Sequence, residues 1–426
     1  MKRYDSYRDS GIDWIGVIPE HWAESKIKYL SKEPSSLFID GDWIESKVIV
    51  EQGIRYITTG NIKIGYYSEQ GSGFISEETF AELKCTEVFE GDLVISRLNN
   101  PIGRACIIPN LNNRIVTSVD NVIFRPDSSV NKFYLLHLFC SKEYFEITDL
   151  ISRGATMQRI SRGLYGNIKI PLPPIKEQNA IASYLDKKTT QIDYLIAKKE
   201  QFIQLLEEER VAVINQAVTK GLDPTVPMKD SGIEWLGEIP EHWELKRMKY
   251  LCDVTTGGKD TENREDDGEY PFFVRSQTIE RISTYSFDGE AILTAGDGVG
   301  VCKVWHYVNE KFDFHQRVYM MCNFKPVLGK YLFYYLKENF GKEVMKLSAK
   351  STVDSLRRPM FQNFMVCFGS LEEQKQIIRH IESEELRIET LISKSHQEIE
   401  LLKEYKTALI SEVVTGKVDV RNEKIN

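Results

Sequence analysis

Between Leu150 and Lys176 the chain carries five basic residues, Arg153, Arg159, Arg162, Lys169 and Lys176, and no acid. A second stretch, Val344–Leu371, carries Lys346, Lys350, Arg357 and Arg358 against one acid, Asp354. Guanidinium and ammonium groups at this density, interleaved with Thr156, Gln158 and Thr352, suit one kind of chemistry: neutralising phosphates and hydrogen-bonding to base edges. For any single residue the plain reading is a solvated loop. Two stretches of the same character, each just ahead of a long helical segment, argue for more.

No pattern for a reaction accompanies them. There is no G-x-x-x-x-G-K-[ST] phosphate loop, no H-E-x-x-H and no G-x-S-x-G. "NNPI" (99–102) lacks the second proline and the aromatic ring with which an adenine methyltransferase stacks a flipped base. Glu45-x-Lys47 has the spacing of a nuclease core, but so short a pattern carries little weight. Glu20-His21 offers an acid beside a base with no third partner nearby. The seven histidines have no metal-ligand spacing.

The net charge of −8 argues against a nucleic-acid partner only if it is evenly spread. It is not: Leu371–Glu404 holds nine acids against five basic residues, which leaves the basic stretches locally positive. Hydrophobic content of 42% and charged content of 28% are those of a globular protein. No apolar run approaches the roughly 18 residues of a membrane span, and the opening MKRYDSYRDSG has no secretory h-region. Seven scattered cysteines without a C-x-x-C predict reduced thiols and a cytoplasmic location.

The elements that must position the basic stretches are written twice. "DSGIDWIGVIPEHW" (Asp9 to Trp22) recurs as "DSGIEWLGEIPEHW" (Asp230 to Trp243) with three differences. "PPIKEQNAIASYLDKKTTQIDYLI" (173–196) is matched by "GSLEEQKQIIRHIESEELRIETLI" (369–392). The order is phrase, variable region, long segment, then all three again, a tandem duplication of about 200 residues and too long for a solenoid repeat. Within the phrase, Trp14, Ile15, Ile18 and Trp22 form a turn-bounded apolar pad. Trp14 and Trp22, with Trp235 and Trp243 of the second copy, are candidates for docking a partner.

Residues 175–219 contain neither glycine nor proline. Ile181, Leu185, Ile192, Leu195, Phe202, Leu206 and Val213 keep the three-four-seven spacing of a coiled-coil seam, as do Ile377, Ile381, Ile388, Leu391, Leu402, Tyr405 and Leu409. Two long helices that pack on each other are predicted. The variable regions hold short β-rich runs: "KVIV", "RYITTG", "DLVIS", "RACIIP" and "NVIFRP" in the first, "YPFFVRS", "AILTAG", "VCKVWHYV" and "RVYMMCNF" in the second. Helical stretches fall near Lys132–Leu150 and Lys330–Leu347. Each region reads as a compact α+β domain. The expected division is 1–22 docking segment, 23–174 first domain, 175–219 first long helix, 220–243 linker with the repeated phrase, 244–370 second domain, 371–415 second long helix and 416–426 tail.

The doubled phrase, "PLPPIKEQ" (171–178) opening one helix and "SLEEQ" (370–374) opening the other make the chain resemble, over essentially its whole length, the specificity subunit of type I restriction–modification systems. The second half departs from the pattern by having "CFGSLEEQ" in place of the prolines. The resemblance implies an α+β chain with two α/β target-recognition domains separated by two long helices in an antiparallel coiled coil, with pseudo-two-fold symmetry. Each domain would read one half of a bipartite double-stranded DNA site. The chain would be non-catalytic and bind no cofactor. It would recruit two adenine-methyltransferase subunits that use S-adenosylmethionine, and restriction subunits that use ATP and Mg2+. Duplication within one chain keeps the docking surfaces repeated while the two readers diverge. The candidate DNA contacts are then Arg97, Asn99, Arg104, Arg153, Thr156, Gln158, Arg159 and Arg162 in the first half. In the second they are Arg275, Gln277, Gln316, Arg317, Lys350, Thr352, Arg357 and Arg358. Two other readings stand beside this one: a stand-alone DNA-modifying enzyme, and a helical adaptor without a DNA role.

Overall fold

The computed structural model describes residues 2–71, 73–154, 158–346 and 355–423. It divides into two units, Met1–Lys198 with Gln397–Asn426, and Lys199–His396. The division cuts across both long helices. Each unit therefore takes the first part of one helix and the last part of the other.

The first long helix spans Ile175–Lys220, 46 residues, and the second Leu371–Val414, 44 residues. Pro173 and Pro174 precede the first; Gly221, at φ +76°, ends it in the left-handed conformation that glycine adopts freely. The second helix lacks those prolines and starts on a capping box instead. The Ser370 hydroxyl accepts from the Glu373 N–H at 3.3 Å, and Glu373 Oε2 accepts from the Ser370 N–H at 2.9 Å.

Within each unit the two helical parts run antiparallel. In the first unit Asp193 pairs with Lys406 at 2.6 Å, and the Tyr134 hydroxyl lies between Pro171 O, ahead of one helix, and Val414 O, at the end of the other. In the second unit Arg210 pairs with Glu389 at 2.8 Å and Arg387 with Glu209 at 2.5 Å, around a core of Leu206, Ile388 and Ile392. The expected seam is only partly inside. Ile181, Leu185, Ile192, Leu206, Ile377, Ile381, Ile388 and Leu409 are buried, whereas Leu195, Phe202 and Tyr405 are exposed. Toward the end of the first helix, Ile214 and Val218 are buried in place of Val213. A straight helix drifts against a seven-residue repeat, so the facing stripe moves to neighbouring positions along its length.

The repeated phrase folds as a hairpin. Tyr7–Ile12 pairs with Gly16–Pro19, and Met228–Asp230 with Glu238–Pro240 in the same register. The strand that follows it, Ala23–Lys26 or Glu244–Arg247, pairs antiparallel with the strand leading into the next long helix, Lys169–Leu172 or Met365–Phe368.

Each variable region is built on one antiparallel sheet. In the first unit the order is Leu37–Asp40, Asn121–Arg125, Leu93–Ser96, Ala105–Ile107. In the second it is Asp253–Thr256, Val318–Cys322, Phe287–Ala295, Trp305–Phe314. A strand pair is added in both, Ile54–Ile57 with Phe74–Ile75 and Tyr270–Phe273 with Glu280–Ile282. Its first strand runs parallel to Ile115–Thr117 in one unit and to the end of Trp305–Phe314 in the other. The topology is thus shared although the sequences are not. "KVIV" departs from expectation: Ser46–Val48 forms a 3-10 turn and only Val50 bridges to a strand. "VCKVWHYV" forms a strand only from Trp305 onward. No helix among the described residues is long and apolar enough to cross a membrane.

Candidate nucleic-acid interface

The register puts specific loops at one end of each sheet. In the first unit Asp40 lies opposite Val122, Asn121 opposite Ser96 and Ile95 opposite Ala105. The connections through Arg97–Arg104 and Ser118–Asp120 therefore share that end. The basic stretch is delivered to it by backbone pairing: Leu98 bridges Arg159, the Ile160 N–H donates to Arg97 O at 3.0 Å, and the Asn99 N–H donates to Gln158 O at 3.3 Å. In the second unit Asp297 bridges Ser355 and the Leu356 N–H donates to Gly296 O at 2.7 Å. The described parts of both basic stretches, around Gln158–Ile160 and Ser355–Leu356, dock on the same sheet end, through the same connection, in their own units.

The expected contact residues then separate into three groups. Arg153 and Arg159 are exposed, and neither forms an ion pair among the described residues. Gln158 and Asn99 are half-buried beside them; Gln277 and Arg357 are exposed in the second unit. Gln316 is exposed and gives its amide to Asp260 at 2.5 Å. Arg275 and Arg317 both reach Asp297. Thr156, Lys350 and Thr352 lie outside the described residues.

A second group is committed to the fold. Arg104 is 7% exposed and gives its guanidinium to the carbonyls of Ile62, Leu98, Pro101 and Thr59 at 2.7–3.1 Å. Burial pushes its pKa below the ordinary arginine value. Arg97 is 6% exposed, donates to Val119 O at 2.6 Å and lies 3.4 Å from Asp40. A DNA role for these two is replaced by loop bracing, because arginines with so little surface have almost nothing to offer a phosphate. Arg162 donates to Phe38 O at 3.2 Å, and Arg358 donates to Val254 O at 2.9 Å, the equivalent carbonyl of the equivalent strand. This repeated brace occupies one side of each guanidinium.

The third group is the phrase. Trp22 and Trp243 are 1% and 2% exposed, so they have no surface with which to dock a partner. Their indole N–H groups donate to Glu177 at 2.9 Å and Glu373 at 3.3 Å, in the first turns of the long helices. His21 lies 2.8 Å from Glu177 and His242 2.7 Å from Glu373. The partner of His21 is therefore Glu177, not its neighbour Glu20. The Tyr4 hydroxyl also donates to Glu177. The far side of each tryptophan meets the glycine ending the other helix: a Cβ at Gly416 would lie 3.0 Å from Trp22, and one at Gly221 would lie 3.3 Å from Trp243. Each copy of the phrase thus ties the start of one long helix to the end of the other, and two such junctions need two copies. Trp14 is half-buried, donates to Lys169 O at 3.2 Å, and lines a cavity of about 420 Å³. Trp235 stacks on Phe364, with ring centroids 5.7 Å apart.

His315 sits behind the interface. Burial lowers its pKa, against the pull of Asp260, and its Nδ1 accepts from the Arg317 N–H at 2.9 Å. Sequence reasoning missed Asp40, Asp260, Asp297, Glu177 and Glu373 as partners. Asp297 had a local signal in the glycine-rich "AGDGVG" turn (295–300), and Glu177 and Glu373 had one in the repeated Glu-Gln that opens each long helix.

The chain matches the family described as the type I restriction modification DNA specificity domain over residues 19–204 and again over 240–401. It is 24% identical to the type I restriction enzyme MjaVIII specificity subunit of Methanocaldococcus jannaschii, over 95% of each chain. The fold is similar to that of the HsdS subunit from Thermoanaerobacter tengcongensis, with a TM-score of 0.58, 14% identity, and coverage of 94% of this chain and 98% of that one. A chain from work on complex assembly and conformational transition of the type I R-M system gives a TM-score of 0.70 at 15% identity, covering 94% and 99%. With both matched segments falling on the two repeated sheets and their helices, the chain belongs to the family of type I restriction–modification specificity subunits.

Proposed function

We propose that this chain is the DNA-specificity subunit of a type I restriction–modification complex, itself non-catalytic, and that each unit reads one half of a bipartite duplex target at the sheet end described above. The observation that supports this most is the docking of both basic stretches on the same sheet end. Divergent loops on a common scaffold let two half-sites differ, whereas a homodimer reads two identical ones. Arg153, Gln158 and Arg159 in the first unit, and Arg275, Gln277, Arg317 and Arg357 in the second, have the exposure and donor chemistry for phosphates and base edges.

The chemistry belongs to the partners. Two adenine-methyltransferase subunits would bring S-adenosylmethionine; restriction subunits would bring ATP and Mg2+. Two copies of one junction fit two copies of one partner, and native mass measurement of the assembled complex tests that stoichiometry. The DNA reading is tested on the complex by titrating duplex target against salt. Arg153→Ala and Arg159→Ala should each lower the slope of log K against log salt by about 0.9 for every phosphate that is no longer neutralised. Unchanged affinity and slope in both variants would place the DNA elsewhere.

A further inference from the structure

In the second unit one carboxylate holds two arginines from different parts of the sheet. Asp297 Oδ1 accepts from Arg275 Nη1 at 3.0 Å, and Oδ2 accepts from Arg317 Nη1 at 2.9 Å. Arg275 follows the strand Tyr270–Phe273, and Arg317 lies in the connection between Trp305–Phe314 and Val318–Cys322. The Asp297 side chain is 16% exposed, whereas those of Arg275 and Arg317 are 46% and 63% exposed. The fixed part of the arrangement is thus the acid, and the presented part is the pair of guanidinium groups.

The backbone holds the acid in place. The Gly296 N–H donates to Arg317 O at 2.8 Å, and a Cβ at Gly296 would stand 2.7 Å from that oxygen. Gly298 has φ +73°. Between two positions that exclude most side chains, Asp297 is held against both arginines. Unheld, two adjacent guanidinium groups would repel and splay; the carboxylate offsets that repulsion and reduces the entropy cost of engaging a ligand.

Each arginine spends one of its five donors on Asp297. The Nε and Nη2 edge of each remains for a bidentate acceptor pair, which the O6 and N7 of guanine supply in the major groove. A phosphate suits the site less well, because the Asp297 carboxylate between the arginines repels a full negative charge more strongly than the partial charges of a base edge. The two arginines converge on one small group, so both can address neighbouring base pairs, which rise about 3.4 Å apart. In the first unit the position bridging the basic stretch is Leu98, not an acid. There Asp40 stands 3.4 Å from Arg97 and 3.5 Å from Arg162, but Arg97 is buried, so among the described residues that acid presents no pair of exposed guanidinium groups.

We propose that Asp297 is a positioning residue for DNA specificity, and that it fixes Arg275 and Arg317 as a pair that reads guanines in the half-site of the second unit. This rests on the DNA-reading role proposed above. The test sequences methylated adenines in cells carrying the full complex with Arg275→Ala, Arg317→Ala, Asp297→Ala or Asp297→Asn. Each arginine variant should relax one guanine position of one half-site, with about 5- to 150-fold loss of discrimination there. Asp297→Ala should relax both of those positions and leave the other half-site intact. Asp297→Asn, which keeps the shape and one acceptor, should give a weaker relaxation of the same positions. It also decides the matter if the alanine variant yields no methylation: an unchanged motif in Asp297→Asn then overturns the proposal. An unchanged motif in Asp297→Ala, or uniform weakening of all sites with a lower salt slope, overturns it too. If the arginine variants alter the motif and the Asp297 variants do not, only the positioning role falls. If none of the four has any effect, the placement of DNA on this face falls with it.

Discussion

The Tyr331 hydroxyl lies 2.9 Å from the carbonyl oxygen of Val218, near the end of the first long helix, and 2.8 Å from that of Cys367, in the strand leading into the second. Tyr134 makes the same bridge in its own unit, to Val414 and Pro171. All of these groups are buried. Tyr331→Phe should therefore destabilise the second unit by about 1–3 kcal/mol, since the one hydroxyl proton shared between the two buried carbonyls is lost where water cannot replace it. Tyr134→Phe should do the same to the first. Denaturant unfolding checks both; a loss below about 0.5 kcal/mol, the range of an indifferent surface change, would mean the bridges are incidental.

Arg104 and Arg159 should behave in opposite ways. Arg104→Ala removes a buried guanidinium that donates to four loop carbonyls and should lower stability by about 3 kcal/mol while leaving the salt slope of DNA binding unchanged. Arg159→Ala should keep stability within about 0.5 kcal/mol and reduce the slope. Thermal melts and salt titrations of the same two proteins read both effects, and a reversed pattern would contradict the division between bracing and presented arginines.

Glu373 carries an acid-sensitive junction. Burial pushes its pKa up, but hydrogen bonds from His242, Ser370 and Trp243 outweigh that and hold it down at about 2. Because the folded value lies below the ordinary 4.5, this stabilisation is fully present above about pH 4.5 and fades as pH falls toward 2. Its size is reduced by the partial exposure of the carboxylate. Glu373→Gln should be less stable at pH 7 and should lose stability less steeply between about pH 4.5 and 3. Parallel pH profiles for the two proteins would remove Glu373 from the account.

The scaffold is readable from sequence because it depends on local rules and on repetition. A run of more than forty residues without glycine or proline, with apolar spacing of three and four, leaves little but a helix, and a phrase written twice marks equivalent places. The interface is only half readable. Arg153 and Arg159 stand out by composition, but Arg97 and Arg104, set among asparagine, proline and glycine, look equally exposed. Their burial follows from how strands distant in sequence align. The Glu177–His21 and Asp297–Arg275 pairs are hidden for the same reason: nothing local links an acid to a base that the sheet register or a helix start brings beside it.

The separate sheets of the two units make each an independent reader of its own half-site in the function proposed above, and this independence has a direct readout. It is tested most directly by replacing residues 23–150 with the corresponding region of a relative of different specificity, then sequencing methylated adenines in cells that also supply the methyltransferase. One half of the bipartite motif should change to that of the donor while the other half is retained. A folded, methylation-competent chimera in which both halves change, or neither does, would contradict it.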